Sequence, residues 1–299
     1  MTVYPNVKLN LGLNVLGKRP DGYHELRTAF IPCYAFSDCL EIVPSASFEV
    51  EISGPEYTGW DPSEDLTARA WRLLRADFGI PPVKICLEKR SPVGAGLGGG
   101  SADGAFALAA LNEMFSLGLS LPKLAEYAAL LGSDCAFFIY NFPMYASGRG
   151  EILEPLELAL DGYRFEVAVP PGIHVSTREA YEGLKVGAVG GVPSGERATL
   201  GIVRGGTVSD GGVERSETSP EGSPSAEPEG ALPPAELRDV LLSTPVERWK
   251  DLVVNDFEAS VFPKYPAIEE LKADFYRRGA VYASMSGSGS SVFGIFRIA

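Results

Sequence analysis

The chain is short of positive charge. Against 39 Asp and Glu it carries 26 Lys and Arg, a formal net charge of −13. Nucleic-acid polymers are held mostly by Lys and Arg at their phosphates, so this balance argues against DNA or RNA as a partner. Small anions remain open, because local N–H groups and one or two cations can hold them whatever the global sign. Histidine is scarce, with two in the whole chain, and the four cysteines, Cys33, Cys39, Cys86 and Cys135, form no C-x-x-C pair. Neither a disulfide framework nor a zinc site is expected. Long apolar runs are missing too, and residues 1–5 lack the charged and apolar regions of a signal peptide. No membrane association is expected, and a cytoplasmic location is. What remains, 299 residues at 45% hydrophobic content, can hold one large domain or two smaller ones with their own cores.

Glycine is what the chain has in abundance at one place. Between Pro92 and Ser101 stand Gly94, Gly96, Gly98, Gly99 and Gly100, with Leu97 among them. A β-like run over 83–87 leads in, and an alanine-rich helical run from 101 to about 117 leads out. The glycines therefore mark a strand-to-helix turn. Free N–H groups and the positive end of the helix dipole attract anions there, and glycine lets a phosphate approach the main chain without meeting a Cβ. Such a turn suits a nucleoside triphosphate. Gly94, Gly96 and Gly99 also meet the spacing G-x-G-x-x-G, but a dinucleotide-binding unit needs a second parallel strand after the helix and an acid about 20 positions on. After Gly118 the chain offers Ser120, Pro122 and a closing Gly132 instead, which predicts a second helix over 120–132. A Walker loop fails as well, because no lysine lies in the turn. Gly104, early in the outgoing helix, is a local departure costing about 0.5–1 kcal/mol relative to Ala.

Along the rest of the chain, Val7, Leu9, Leu11, Leu13 and Val15 alternate with Lys8, Asn10, Gly12 and Asn14, the period of a strand. The polar side of that strand is either solvated or lined up along a site. Residues 17–22 read as a tight turn, followed by Tyr23 and His24, which could stack on a base or serve only as a rim aromatic and a structural histidine. Runs over 40–43 and 48–52 predict a hairpin, and 65–78 predicts a helix closed by Gly79. Asp134 precedes the apolar run 135–139, where Asp is among the best helix caps. A strand over 165–169 opens a second half, and Ser176 or Thr177 can cap a short helix carrying Tyr181. Residues 186–234 shift to Gly, Ser, Pro and Glu with little periodicity, and the stretch 209–236 alone holds seven acids against Arg215. Disorder is predicted for 186–234. Helix is expected over 235–242, a further helix running on from 254–258 through 268–278, and two strands around a second glycine turn at 286–290.

The order Pro92, Gly94, Gly96, Leu97, Gly98, Gly99, Gly100, Ser101 resembles the ATP loop of the galacto-, homoserine, mevalonate and phosphomevalonate (GHMP) kinase superfamily. Three further stretches, Lys8 and Asn10 with residues 19–25, Gly132 to Asp134, and residues 286–290, resemble the branch that phosphorylates 4-diphosphocytidyl-2-C-methylerythritol. The resemblance covers about 1–185 and 250–296. It implies an α+β, GHMP-kinase-like two-domain fold: a ribosomal-protein-S5-domain-2-like β/α domain over 1–165 and a ferredoxin-like α/β domain over 166–299. It implies ATP and Mg²⁺ as cofactors, with residues 92–101 on the nucleotide and Ser101 capping the helix and touching the metal. Lys8 and Asp134 take the catalytic positions. Asn10, Tyr23, His24, Thr177 and Tyr181 fall to the substrate, the rings to its cytosine. Two alternatives stay open: another small-molecule kinase of the mevalonate or homoserine class, and a non-catalytic relative that binds a nucleotide or sugar. Oligomeric state is not legible.

Overall fold

The computed structural model describes residues 1–184 and 236–298. The predicted disordered insertion at 186–234 lies outside the described residues. In chain order the elements are β1 (Thr2–Val3), β2 (Asn6–Lys18), β3 (His24–Ser37), β4 (Cys39–Pro44), β5 (Glu49–Ser53), α1 (Leu66–Phe78), β6 (Val83–Glu88), α2 (Gly99–Met114), α3 (Leu121–Leu131), α4 (Cys135–Tyr140), β7 (Met144–Ser147), β8 (Ile152–Pro155) and β9 (Tyr163–Ala168). They continue with α5 (Thr177–Glu182), α6 (Leu237–Ser243), α7 (Glu258–Val261), α8 (Pro266–Arg277), β10 (Tyr282–Met285) and β11 (Val292–Arg297). Among the described residues no helix is long and apolar enough to cross a membrane.

Three sheets result, ordered β1-β4-β6-β5, β2-β3-β7-β8 and β10-β11-β9. The first packs Leu40, Ile42, Ile85 and Leu87 against Leu74, Leu108, Leu111 and Phe137 of the helices, forming one core. A second core joins Val7, Leu9 and Leu11 of β2 to Tyr282, Phe293 and Ile295 of the C-terminal sheet and to Leu237 and Trp249. Residues from both sides of the predicted boundary at 165/166 thus share it. The other side of the C-terminal sheet closes a third core with Phe257, Ile268 and Phe275.

Helix α1 forms as its sequence requires. Asp65 accepts from the Thr67 N–H at its start, and Gly79 at φ 62° closes it. Gly104 has a packing reason. A Cβ there would lie 2.9 Å from Leu66 Cβ and 3.2 Å from Leu131 Cδ1, so the glycine lets α2 nest against α1 and α3.

Three expectations are corrected. The runs at 40–43 and 48–52 do not pair as a hairpin, because β6 lies between them, antiparallel to β4 and parallel to β5. The fully apolar inward face of β6, Val83, Ile85 and Leu87, claims the centre, while β5 exposes Glu49, Glu51 and Ser53 as an edge strand does. Ser101 does not cap α2. The helix begins two residues earlier, and Gly98, at φ 73°, is its N-cap. Finally, α7 does not run on into α8. Pro266 sits in the first turn of α8, where its missing N–H has no intrahelical partner to lose, and a new helix starts there.

Candidate active site

The alternation in β2 turns out to bury both of its faces. Val7, Leu9 and Leu11 enter the second core, while Lys8 and Asn10 on the opposite side are also enclosed, at 4% and 2% exposure. What covers them is the glycine loop. The Lys8 main-chain N–H donates to the Leu97 carbonyl at 2.9 Å. The Lys8 ammonium donates to Asn10 Oδ1 at 2.5 Å and to the Gly96 carbonyl at 2.9 Å. It stands 5.3 Å above the Phe30 ring and 3.7 Å from Asp134 Oδ2. Burial pushes the Lys8 pKa down, and the Asp134 carboxylate only partly restores it. Asn10 is in turn fixed by donating to Thr28 Oγ1 at 2.9 Å, whose hydroxyl donates to the Gly12 carbonyl at 2.6 Å.

The loop is built on alternation as well. Gly94, Gly96 and Gly98 all take positive φ and line the cavity, whereas Ala95 and Leu97 between them are buried in the second core. Two apolar anchors hold the backbone while the glycines present it to a ligand, an arrangement suited to anions. A side chain at Gly96 would also run into the Ser286 carbonyl oxygen, so the second glycine turn, joining β10 to β11, presses against the first. Ser291 N–H donates to the Ala95 carbonyl at 3.1 Å, and Ser286 Oγ donates to the Gly96 carbonyl at 3.2 Å. Asn255 Nδ2 holds that second turn by donating to the Met285 and Gly287 carbonyls at 2.8 Å each.

Asp134 occupies the N-cap position of α4 but makes no side-chain cap hydrogen bond. Its carboxylate, 32% exposed, faces Lys8 and the cavity instead. That cavity, of about 600 Å³, is lined by Lys8, Asn10, Gly94, Gly96, Gly98, Ser101, Asp134, Thr177 and Tyr181 among the predicted site residues. Pro92 and Leu97 support the loop without lining it. Gly99 lies buried against Ser91, and Gly100 is exposed with open space around it.

His24 does not line the cavity but stacks on Tyr181, which does, with ring centroids 4.4 Å apart and planes at 19°, and Phe257 meets Tyr181 edge-on at 4.8 Å. Burial, with the nearby Asp134 charge, pushes the Tyr181 hydroxyl pKa up to about 12. Burial first and Lys18 second lower that of His24, which favours a neutral imidazole able to donate and accept. Tyr23 is 56% exposed and does not line the cavity; its ring lies under the Arg149 guanidinium at 4.7 Å. Tyr181 thus stacks on His24, while Tyr23 packs under Arg149. Ser176, not Thr177, caps α5, accepting from Glu179 N–H at 3.2 Å, and Thr177 Oγ1 lies 3.3 Å from Ser288 Oγ of the second glycine turn.

Sequence reasoning missed Thr28, Arg149, His174 and Asn255. Thr28, Arg149 and His174 line the cavity, and a Cβ at Gly94 would strike the His174 imidazole. It also missed a closed ionic cluster behind the loop. Lys89 Nζ lies 2.5 Å from Asp38 Oδ2, 2.7 Å from Asp103 Oδ2 and 3.1 Å from Ser91 Oγ. One signal was available: Asp103 is a lone acid on an otherwise apolar, buried stretch of α2, and buried acids need a partner.

Among the described residues, no group of three or more His, Cys, Asp or Glu converges as a metal cage. Ser101 and Asp134 both face the cavity. One carboxylate and one hydroxyl suit Mg²⁺, which keeps several waters and is usually held by one or two carboxylates together with substrate phosphates.

The chain is similar to several known proteins. The model of the GHMP kinases N terminal domain matches residues 65–142, and that of the GHMP kinases C terminal matches 240–297. A 4-diphosphocytidyl-2-C-methyl-D-erythritol kinase of Bacteroides fragilis is 44% identical, covering 99% of this chain and 92% of the relative. One of Cytophaga hutchinsonii is 40% identical with the same coverage. A crystal structure of 4-(cytidine 5'-diphospho)-2C-methyl-D-erythritol kinase superposes with a TM-score of 0.69 at 30% identity, over 98% of this chain and 89% of that one. The Methanococcus jannaschii mevalonate kinase, at 12% identity and a TM-score of 0.63, shares the fold.

Proposed function

We propose a division of labour among these residues from one premise: the chain belongs to the GHMP kinases, and within them to the 4-diphosphocytidyl-2-C-methyl-D-erythritol kinases. It is an ATP-dependent small-molecule kinase of the isoprenoid route that bypasses mevalonate. The acceptor is the 2-hydroxyl of 4-diphosphocytidyl-2-C-methyl-D-erythritol. The backbone N–H groups of the loop from Gly94 to Ser101 hold the α- and β-phosphates at the start of α2. Mg²⁺, carried on the nucleotide phosphates with Ser101 or Asp134 nearby, would neutralise charge on the transferring group.

Lys8 and Asp134 work at the reacting centre. The acceptor oxygen attacks the γ-phosphorus, the bond to the β-phosphate bridging oxygen breaks, ADP leaves, and the hydroxyl proton passes to Asp134. Such transfers run through a loose transition state in which positioning and charge stabilisation dominate. Asp134 both orients the hydroxyl and takes its proton, and Lys8 meets the charge developing on the phosphoryl oxygens. Asn10 keeps Lys8 in place, and Thr177 closes the cavity wall. The cytosine lies at the ring cluster, against the His24–Tyr181 stack with Tyr23 at its rim; His24 meets the edge of the base. The division into a domain over 1–165 and one over 166–299 places the reacting centre in the first and part of the base wall in the second.

The observation that carries this reading is the 3.7 Å approach of Lys8 Nζ to Asp134 Oδ2 in a cavity that runs from the glycine loop to Tyr181. The test is ADP release by the purified protein with ATP and Mg²⁺, comparing diphosphocytidyl-methylerythritol with mevalonate, homoserine and galactose. Turnover with the cytidyl acceptor alone is expected. Turnover with another alcohol would keep the kinase and remove the base pocket; ATP binding without turnover would favour the non-catalytic relative.

A further inference from the structure

Arg149 is a cation that the mechanism above does not use. Among the described residues lining the cavity, the charged side chains are Lys8, Asp134 and Arg149. Lys8 is held by Asn10, Gly96 and Asp134 and lies at the loop. Arg149 is freer. Its Nε has one long contact, 3.4 Å to Glu151 Oε1, and its guanidinium otherwise lies over the Tyr23 ring, with 42% of the side chain exposed. Asp21 also feels its charge across the turn.

The backbone beneath it is fixed. Gly148 O accepts from Leu26 N–H at 2.7 Å, and Gly148 N–H donates to Glu25 Oε1 at 3.1 Å, which pins the turn between β7 and β8 beside Tyr23 and His24. The Arg149 N–H is also tied to Glu151. A pinned backbone with an under-used guanidinium tip is how an arginine is presented to a ligand: most of its five donors are unassigned, and they form a planar fork that matches phosphate oxygens.

We propose that Arg149 reads the diphosphate of the acceptor and so helps set specificity. The inference rests on the functional reading above. The acceptor's diphosphate must cross from the ring cluster to the reacting centre, and in a chain of net charge −13 it needs a local cation. Lys8 serves the transferring phosphoryl, and Arg149, beside the rings, serves the diphosphate. Acceptors of the mevalonate, homoserine or galactose kind carry no diphosphate and gain nothing from it.

Calorimetric titration of cytidine and of CDP into protein saturated with β,γ-imido-ATP and Mg²⁺ isolates this contact. Charge-assisted hydrogen bonds predict that wild type binds CDP about 10- to 100-fold more tightly than cytidine. Arg149→Gln should lose most of that ratio while cytidine affinity stays within about twofold, and Arg149→Lys should restore part of it, a charge without the fork. A CDP-to-cytidine ratio unchanged in Arg149→Gln would overturn the proposal, as would equal losses for both ligands, which mark a residue that merely supports the Tyr23 ring. Wild-type ADP release with the intact acceptor, run alongside, tests the functional reading separately: failure there with an Arg149-dependent ratio would remove the reaction and keep the diphosphate site.

Discussion

Two lysines flank the glycine loop, buried almost equally, Lys8 at 4% exposure and Lys89 at 2%. Their surroundings differ in how completely the charge is met. Lys89 has two carboxylates and a hydroxyl within 3.1 Å in a cluster without an opening to the cavity. Burial pulls its pKa down, but Asp103 and Asp38 outweigh that and raise it. Asp38, though buried, is held low by Lys89. One cation serves two acids, so burial, the partial help of Lys89 notwithstanding, and repulsion from Asp38 push Asp103 well above the ordinary carboxylate range. Lys8 has a single carboxylate at 3.7 Å and two neutral oxygens, and for it burial wins. A buried lysine whose charge is matched holds a structure together. One left under-neutralised at a cavity wall is ready for an anion, which would complete what the protein leaves undone.

The comparison can be broken at several points. Asp134→Asn attacks the open centre and should show the largest effect: turnover falls by about 10²–10⁴, the range for loss of general-base assistance, with ATP affinity nearly intact. Steady-state kinetics with a nucleotide titration checks it, and unchanged turnover would remove Asp134 from the mechanism. Lys89→Met attacks the closed centre. It strands two buried acids, so denaturant unfolding should show a loss of about 3–5 kcal/mol. If stability instead held and only turnover fell, Lys89 would belong with Lys8. Gly104→Ala tests the scaffold between them. Overpacking against Leu66 and Leu131 should cost about 1–3 kcal/mol, although alanine is the better helix former.

The smallest effect is the pH dependence, where the two lysines should differ in sign. The lowered Lys8 pKa means that the unfolded chain keeps this proton to higher pH than the fold does. Between the two values the Lys8 contribution to stability rises with pH while turnover falls, because the charge is lost from the site. Lys89, raised, contributes stability fully present below the ordinary lysine value and lost as pH climbs through the folded one. Parallel pH profiles of turnover and unfolding would separate them; identical alkaline limbs would contradict the distinction.

Much of the open centre was legible in the sequence and almost none of the closed one. Gly94 to Ser101 announced a glycine turn at the start of a helix because glycine spacing encodes backbone geometry directly. Lys8 and Asn10 stood out through the period of their strand. Asp38 and Asp103, by contrast, are 51 and 14 residues from Lys89, and no local pattern encodes such a meeting. The same limit explains the hairpin that is absent. Residues 40–43 and 48–52 are adjacent and strand-like, but which strand fills the centre is decided by the apolar face of β6, formed thirty residues on. Arg149 escaped notice because an arginine in a Gly-Arg-Gly turn is ordinary until the fold sets it over Tyr23.

The measurement that goes most directly to the difference between the two lysines is thermal unfolding and ADP release of one variant, Lys8→Met. Of the two oxygens that Lys8 bonds, Asn10 Oδ1 and the Gly96 carbonyl, the Ser286 hydroxyl, at 3.4 and 3.2 Å, can donate to one at a time. Stability should therefore fall by only about 1–3 kcal/mol, the cost of one acceptor left without its donor, while turnover with diphosphocytidyl-methylerythritol falls at least about 100-fold for loss of charge at the transferring phosphoryl. A variant that unfolds as readily as Lys89→Met, or one whose folded fraction turns over like wild type, would show that Lys8 is scaffold and that the reacting centre lies elsewhere.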